Sequence, residues 1–323
     1  MASEPAFRPG RRRLGALAGL ALAAPALSRP ARAASAPVTL LVGAAPGSTA
    51  DAWARGFAPF LERHLPRTAI AVLNRPGERG LAAARAVAGA PPDGRLLAAV
   101  AVPQLLARSI ELRAEPLLTR LDFMAAVTEE PLVLVGLAGT TDDLDALRGL
   151  GPQAVLGTPP HGSAAQLAAV ALGQGLPLDL LAFASAPAAR QAVLAGNAAC
   201  ALLPLPEAIA ALRDGRLSGL ALARTRRSDL LPEVPTFAEQ GIPLQSAAYR
   251  GFAVPAGTGQ AALAPLLAAL EAVVVDPEFV DQSQARGSVP RFIGQRAWEP
   301  MLRRTLAELG ERWVRDPWTS RHD

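Results

Sequence analysis

The stretch VTLLVGAAPGSTADAWARGFAPFLERH, residues 38–64, decides the fold class. Its first five residues are apolar apart from one threonine, as in a strand that is buried on both faces. A turn containing Pro46 and Gly47 follows, and apolar residues then recur at helical spacing from residue 50 to residue 64. A strand, a short turn and a helix in this order are the opening unit of an α/β fold with a parallel sheet.

The same alternation continues along the chain. Strands are predicted at 69–73 and 95–102, with a helix at 80–88 between them, which completes a βαβαβ opening. A second series of strands and helices, ending in two amphipathic helices, is predicted at 132–135, 141–147, 154–156, 163–172, 180–183, 186–195, 199–203, 206–213, 219–223, 259–275 and 298–314. We expect two α/β lobes with a cleft between them, because ligands of such folds bind where strand ends and helix N-termini meet a crevice.

Two details of this pattern concern helix capping and charge. Thr140 or Thr141 is expected to cap the helix at 141–147. The carboxylate pairs at 129–130 and 142–143 both adjoin predicted turns. We therefore expect solvated or first-turn charges at these positions rather than a catalytic pair.

Composition narrows the classes of function. The chain has 323 residues and a formal net charge of +4, and all 32 of its basic residues are arginine. Chemistry that depends on lysine, such as Schiff-base formation, is therefore excluded. Residues 1–33 hold six arginines and one glutamate, so the other 290 residues carry a net charge of −1 and no basic block. Nucleic-acid binding needs a clustered basic face, so we expect no nucleic-acid partner.

Sequence signatures of catalysis are missing. The single cysteine, Cys200, excludes an internal disulfide and a cysteine-built zinc site, and it lies in an apolar run. The three histidines are far apart, and no HExxH, P-loop, G-x-S-x-G or dinucleotide motif occurs. We therefore expect no metal, no cofactor and no enzymatic activity, and the pattern favours a ligand-binding protein.

Residues 1–33 have the layout of an export signal. Arg8 and the arginines at 11–13 precede an apolar stretch at 14–27, and Ala-Arg-Ala at 31–33 matches a cleavage site. The arginine run is similar to that of a twin-arginine signal. The apolar stretch is shorter than the roughly 18 residues that a membrane span needs. We expect cleavage before Ala34 and a periplasmic mature protein.

Four segments after this signal resemble one family. They are LVGAAPGSTAD at 41–51, NRPG at 74–77, a stretch at 227–241 that contains LPEVPT and EQG, and GFAVPAGT at 251–258. Their order and spacing are similar to those of the Bug-type solute-binding receptors of tripartite tricarboxylate transporters. The resemblance extends from about residue 36 to the C-terminus.

The resemblance implies a two-lobed α/β fold of the type II periplasmic-binding-protein class, with a central ligand cleft. Residues 34–131 and 252–323 would form lobe 1, and residues 132–251 would form lobe 2. The chain would cross between the lobes near 131–135 and near 249–252, where we expect the hinge.

The resemblance also implies a function. Such a receptor captures a small carboxylate or related organic acid and delivers it to the permease subunits of a tripartite membrane transporter. No cofactor is implied, and we expect a monomer. The alternative is a ligand-sensing or degenerate interaction protein that acts with a membrane signalling partner. A hydrolase or isomerase on the same lobes is less favoured, because the sequence offers no nucleophile–base arrangement.

The candidate site is built around two loops, one in each expected lobe, that each precede a helix, and it also includes Phe183 and Tyr249 outside these loops. Backbone amides, hydroxyls and the helix dipole at such ends can receive an anion without a charged clamp. For each loop, the alternative is an ordinary capped turn. The candidate ligand-binding residues are Ala44, Pro46, Gly47, Ser48, Thr49, Asp51, Thr158, His161, Gly162, Ser163, Phe183 and Tyr249.

Three of these residues have two interpretations each. Asp51 either orients its loop through backbone amides or binds an amino group of the ligand. Ser163 either caps its helix or faces the ligand. Tyr249 either lines the cleft or packs in the core.

The chain also lacks polar groups that are common in the family, for example an Asp where Ala199 stands. This lack favours a smaller, more apolar or aromatic acid over a tricarboxylate.

Overall fold

Residues 37–173, 176 and 178–319 are described by the computed structural model of the protein. The export segment predicted at 1–33 lies outside these residues and stays a prediction. In the described part of the chain, no helix is both long enough and apolar enough to cross a membrane.

The strand–turn–helix unit that opens the fold is present where the sequence predicts it. Strand β1 (Val38–Val42) leads into helix α1 (Thr49–His64). The helix begins there because the Ser48 hydroxyl caps it, with Oγ 3.3 Å from the amide nitrogen of Asp51.

The remaining elements follow the predicted alternation and add to it. The other strands are β2 (Ile70–Asn74), β3 (Leu96–Val102), β4 (Leu121–Leu137), β5 (Val155–Thr158), β6 (Asp179–Ala182), β7 (Cys200–Pro204), β8 (Leu217–Leu222), β9 (Ala247–Pro255) and β10 (Val289–Gly294). The other α-helices are α2 (Leu81–Ala88), α3 (Gln104–Glu111), α4 (Leu144–Gly149), α5 (Ala164–Leu172), α6 (Ala186–Leu194), α7 (Leu205–Arg213), α8 (Gln260–Val275), α9 (Pro277–Ala285) and α10 (Gln295–Arg315). Short 3₁₀ helices lie at Glu78–Gly80, Glu115–Arg120 and Ala238–Gln240.

Strand β4 organises the sheet. Strand β1 pairs in parallel with β2 and β3, as the βαβαβ opening predicts, and β3 continues through β9 to β4. The first part of β4 runs between β9 and β10, and its last residues pair with β7 and β8. The sheet therefore has a first portion around β1, β3 and β9 and a second portion around β5, β7 and β8, and β4 belongs to both.

Helices cover both faces of each portion. In the first portion, one face carries a buried cluster around Trp298 and the other a cluster around Phe57 and Phe252. In the second portion, alternate residues of β7 contribute to two different clusters, since Cys200 packs with one and Ala201 with the other. Burial on both faces explains why these strands are near-continuous apolar runs.

The prediction of solvated charges at Glu129 and Glu130 is wrong. Both lie within β4, which is longer than the predicted strand at 132–135, and they are only 5% and 4% exposed. Arg250 of β9 pairs with Glu130, and Arg291 of β10 pairs with Glu129. These ion pairs balance the buried charges, and they form only when distant strands come together.

The prediction of a threonine cap near residue 141 is also wrong. The amides of Thr140 and Thr141 both donate to the carbonyl of Leu137, so the two threonines form the turn that ends β4. Helix α4 begins later, and Asp143 caps it with Oδ1 2.7 Å from the amide nitrogen of Ala146. Asp has the short acceptor side chain that an N-cap requires.

Candidate ligand-binding site

A cavity of about 430 Å³ lies between helices of the first portion and helices of the second. Unpaired amides and the positive ends of helix dipoles converge on it, because helices from both portions point their N-termini toward it. This arrangement favours an anion. The N-cap residues that line the cavity are Ser48 of α1, Gly80 of α2, Pro103 of α3, Ser163 of α5, Ser185 of α6 and Pro204 of α7.

Helices α1 and α5, one from each portion of the sheet, present free backbone amides to the cavity. In each, the capping serine hydroxyl accepts from the third amide of the helix, at 3.3 Å in α1 and 3.2 Å in α5. The first two amides of a helix have no intrahelical acceptor. In α1 these belong to Thr49 and Ala50, and in α5 to Ala164 and Ala165, and all four residues line the cavity.

Asp51 holds the loop before α1 in shape. Its carboxylate accepts from the Gly47 amide at 2.9 Å, from Arg55 Nε at 2.9 Å and from Asn74 Nδ2 at 2.8 Å. The Arg55 hydrogen bond, with the other two, lowers the pKa of Asp51 to about 2. Asn74 also donates to the carbonyl of Ala44 at 3.0 Å. This is the geometry of the loop-orienting interpretation, and the Asp51 carboxylate is not part of the cavity wall.

The loop before α5 is tied down by its own contacts. The His161 ring nitrogen Nδ1 lies 2.9 Å from the carbonyl oxygen of Trp318, and the Gly162 amide donates to Gln166 Oε1 at 3.0 Å. The His161 carbonyl accepts from Arg79 Nη1 at 2.8 Å. These groups fix the entry into α5, and they leave the first turn of that helix to face the cavity.

The twelve residues predicted for the site divide into two groups. Ala44, Ser48, Thr49 and Ser163 line the cavity. The other eight lie outside its wall, namely Pro46, Gly47, Asp51, Thr158, His161, Gly162, Phe183 and Tyr249.

Among these eight, the two aromatic residues take packing positions. Phe183 packs on the buried cluster of the second portion that contains Val133. Tyr249, in β9, packs on the cluster around Trp298, and burial raises the pKa of its hydroxyl. The Thr158 side chain is fully buried and its hydroxyl has no hydrogen-bond partner in the described part of the chain.

Sequence reasoning missed the charged groups of the cavity wall, which are Arg79, Glu130, Glu207 and Arg250. Glu207 accepts from the Thr49 hydroxyl at 2.6 Å and lies 3.8 Å from Arg190. Glu130 and Arg250 form an ion pair. A weak signal existed for Arg79, because it lies between Gly77 and Gly80, directly after the NRPG segment. Its φ in the structure is 52°. No local motif marks the other three.

Two further features of the described residues bear on the chemistry of the site, namely their potential metal ligands and their single thiol, which lies outside the cavity wall. No group of three or more His, Cys, Asp or Glu residues within 37–173, 176 and 178–319 could hold a metal ion. Cys200 is fully buried in β7, and burial raises the pKa of its thiol to about 12.

Comparison with known proteins gives the family. The model of the tripartite tricarboxylate transporter family receptors matches residues 54–295. A UPF0065 protein of Bordetella bronchiseptica is 30% identical over 325 residues, which cover 94% of this chain and 95% of that protein. BugT of Bordetella pertussis is 29% identical over 314 residues, which cover 93% of this chain and 92% of BugT.

Solved structures give the fold. The periplasmic binding protein BugD superposes with a TM-score of 0.74 at 19% identity, over 87% of this chain and 97% of BugD. MatC of Rhodopseudomonas palustris, solved with malate, has a TM-score of 0.71 at 22% identity, over 86% and 98% of the two chains. An R. palustris protein solved with adipate has a TM-score of 0.74 at 20% identity, and the match covers 87% of this chain and 97% of that protein. The predicted family and fold class are therefore confirmed: the chain belongs to the tripartite tricarboxylate transporter family receptors, as a Bug-type member with an α/β periplasmic-binding-protein fold.

Proposed function

We propose that the protein is a periplasmic receptor that binds a small organic acid in the 430 Å³ cavity and delivers it to the permease of a tripartite-type transporter. The observation that carries the proposal is the convergence of six helix N-caps on this one cavity. A carboxylate there accepts hydrogen bonds from the free first-turn amides of α1 and α5 and is stabilised by the helix dipoles. The near-neutral charge of residues 34–323 is compatible with this, because the attraction is local.

The ligand class is supported by the relatives. MatC binds malate and its R. palustris neighbour binds adipate, and both ligands are small carboxylic acids. The cavity wall combines α1, α2 and α3 of expected lobe 1 with α5, α6 and α7 of expected lobe 2. We infer that binding draws the two lobes, 34–131 with 252–323 and 132–251, together around the ligand, with β4 and β9 as the crossing strands.

Proline substitution at the first position of α5 tests the anion site. Proline fits this position of a helix, and Ser163 before it has φ −70° and ψ 155°, as a residue preceding proline prefers. Ala164→Pro therefore removes one amide donor and leaves the helix intact. The matched control is Gln260→Pro at the first position of α8, where Gly259 has φ −67° and ψ 151° and the helix lies outside the cavity wall.

The measurement is a thermal-shift screen over mono-, di- and tricarboxylates, aromatic acids and amino acids. A ligand that binds only the folded state raises the melting temperature in proportion to RT ln(1 + [L]/Kd). We expect at least one acid to stabilise the wild type and Gln260→Pro but not Ala164→Pro. A complete panel without any shift on the wild type would contradict the proposed ligand class.

Compartment and partner need separate tests. N-terminal sequencing of the protein from a periplasmic extract is expected to begin at Ala34. Affinity capture from solubilised membranes is expected to recover permease subunits. Recovery of a sensor protein in their place would favour the signalling alternative.

A further inference from the structure

The segment after helix α10 carries an inference that rests on the proposed function, because it concerns how the proposed cavity opens. Trp318 is 4% exposed and packs in the buried cluster around Trp298 in the first portion. Its ring centre lies 4.7 Å from that of Trp313, and its Nε1 donates to Glu111 Oε1 at 2.7 Å. Glu111 is the last residue of α3, so the side chain of Trp318 is anchored in the first portion.

The backbone of the same residue binds the second portion. The carbonyl oxygen of Trp318 accepts from Gln166 Nε2 at 3.1 Å and lies 2.9 Å from His161 Nδ1. Gln166 lies in the first turn of α5 and is 1% exposed, and its Oε1 accepts from the Gly162 amide. Both the oxygen and the nitrogen of this carboxamide are engaged, which fixes the side chain that joins α5 to Trp318.

Two further contacts hold α5 and the loop before it against the first portion. Arg312 of α10 donates through Nη1 to the carbonyl of Leu167 at 3.0 Å, and the Leu167 side chain packs in the same cluster as Trp318. Arg79 donates to the carbonyl of His161 at 2.8 Å. This part of the second portion is thus joined to the 3₁₀ helix at 78–80, to α10 and to the segment after α10.

The contacts of Gln166 and Leu167 adjoin the cavity wall in the chain, because the two residues directly follow Ala164 and Ala165. Movement of α5 away from α1 would widen the cavity. The same movement would break the hydrogen bond from Gln166 and withdraw Leu167 from an apolar cluster. Losing the partner of a buried carboxamide and exposing an apolar side chain both disfavour this movement.

We propose that Trp318 is a positioning residue that straps α5 to the first portion and so sets how readily the cavity opens. The strap consists of residues 312–318. It holds the free amides of Ala164 and Ala165 at the cavity before an acid arrives. This arrangement favours affinity, because the apparent dissociation constant is the intrinsic one divided by the fraction of molecules that are competent to bind.

Labelling of a buried thiol tests the strap without any ligand. The reporter is Leu167→Cys, because the side chain at this position is covered by the first portion as long as α5 stays in place. Cys200 is the internal reference, since it is fully buried in β7 and packs within the second portion. Iodoacetamide at pH 8 modifies each thiol in proportion to the fraction of molecules that expose it. Mass spectrometry of the peptides separates the two sites, and each rate is divided by that of the same variant in denaturant.

Two variants of the reporter protein release the strap from different sides. Trp318→Ala removes the indole anchor, and Gln166→Met removes the donor to the Trp318 carbonyl. We expect each to raise labelling at position 167 about tenfold or more and to leave the rate at Cys200 within about threefold. The matched control is Gln240→Met, because Gln240 Nε2 donates to the carbonyl of Leu220 at 2.9 Å within the second portion. This control is expected to change neither rate.

Unchanged labelling at position 167 in Trp318→Ala would overturn the strap. An equal rise at position 167 and at Cys200 would overturn it as well, because it indicates global unfolding. Where Trp318→Ala does not fold, Gln166→Met decides by the same two criteria. No acid is present in these measurements, so failure of the strap leaves the proposed function standing. Failure of the acid panel, in turn, would remove the proposed ligand and leave the labelling result unaffected.

Discussion

The hydroxyl of Thr49 donates a 2.6 Å hydrogen bond to Oε1 of Glu207, and the two residues lie 158 positions apart in the chain. Thr49 begins α1 and Glu207 lies in the first turn of α7, so the bond joins the two sets of helices at the cavity. The Glu207 side chain is 10% exposed. We expect Thr49→Val to lower the free energy of unfolding by about 2 kcal/mol, because a mostly buried carboxylate loses its donor. Urea unfolding in the absence of ligand measures the change.

Thr49→Ser is the matched control for this substitution. Serine keeps the hydroxyl and removes one methyl group, so its effect is expected to stay below about 1 kcal/mol. The contact with Glu207 has no energetic role if valine and serine destabilise the protein equally.

Asp51 makes stability depend on pH in the acidic range. Its pKa is about 2 in the folded protein, below the ordinary 3.8, because Arg55, Gly47 and Asn74 donate to the carboxylate. A lowered pKa contributes stability that is present above about pH 4 and is lost as the pH falls through 2. We expect Asp51→Asn to lower the free energy of unfolding by up to about 2 kcal/mol at pH 6. The difference in unfolding free energy between wild type and variant is expected to shrink toward pH 2.

Guanidinium titrations between pH 2 and pH 6 test this expectation. The control is Asp145→Asn in α4, whose side chain is 87% exposed and pairs with Arg148 at the surface. Its effect is expected to remain below about 0.5 kcal/mol. A lowered pKa is contradicted if the difference in unfolding free energy between wild type and Asp51→Asn stays constant from pH 6 to pH 2.

The parallel opening of the fold and most helices were predictable because their signals are local. Apolar runs and helical periodicity lie within single segments, as in β1 and α1. Strands β9 and β10 escaped prediction because polar residues, glycine and proline interrupt them, with Arg250 and Gly251 in one and Pro290 and Arg291 in the other. The two arginines are explained by the neighbouring strand β4, because its buried glutamates pair with them.

The candidate site divides in the same way, because its local features were predictable from the sequence and its long-range contacts were not. Ser48 and Ser163 are helix caps, and caps are local features that bring backbone amides to the cavity wall. The charged wall depends on pairs separated by 120 residues for Glu130 and Arg250 and by 158 residues for Thr49 and Glu207. No spacing rule within one segment connects such residues, so tertiary structure was needed to find them.

Cys200 is expected to report global unfolding. It is fully buried in β7, and burial raises its thiol pKa to about 12. Because the thiolate is the reactive form, the native protein should not react with dithionitrobenzoate at pH 8 within an hour. In denaturant, one thiol per chain should react, since the sequence contains a single cysteine. Rapid modification under native conditions would show that β7 opens locally.

Gly251 is the position where the sheet is expected to tolerate substitution least. A Cβ at this point of β9 would collide with the backbone of Ala125 and Ala126 in β4 and with the ring of Trp298, which is fully buried. We expect Gly251→Ala to destabilise the protein by about 3 kcal/mol, because backbone on one side and a packed indole on the other leave no room to relax.

The control is Gly310→Ala in α10, where a Cβ meets nothing within 4 Å. Alanine is the better helix former by about 1 kcal/mol, so this control should raise the unfolding free energy. Opposite signs for the two glycines in urea unfolding would establish that the close approach of β9, β4 and Trp298 requires a residue without a side chain.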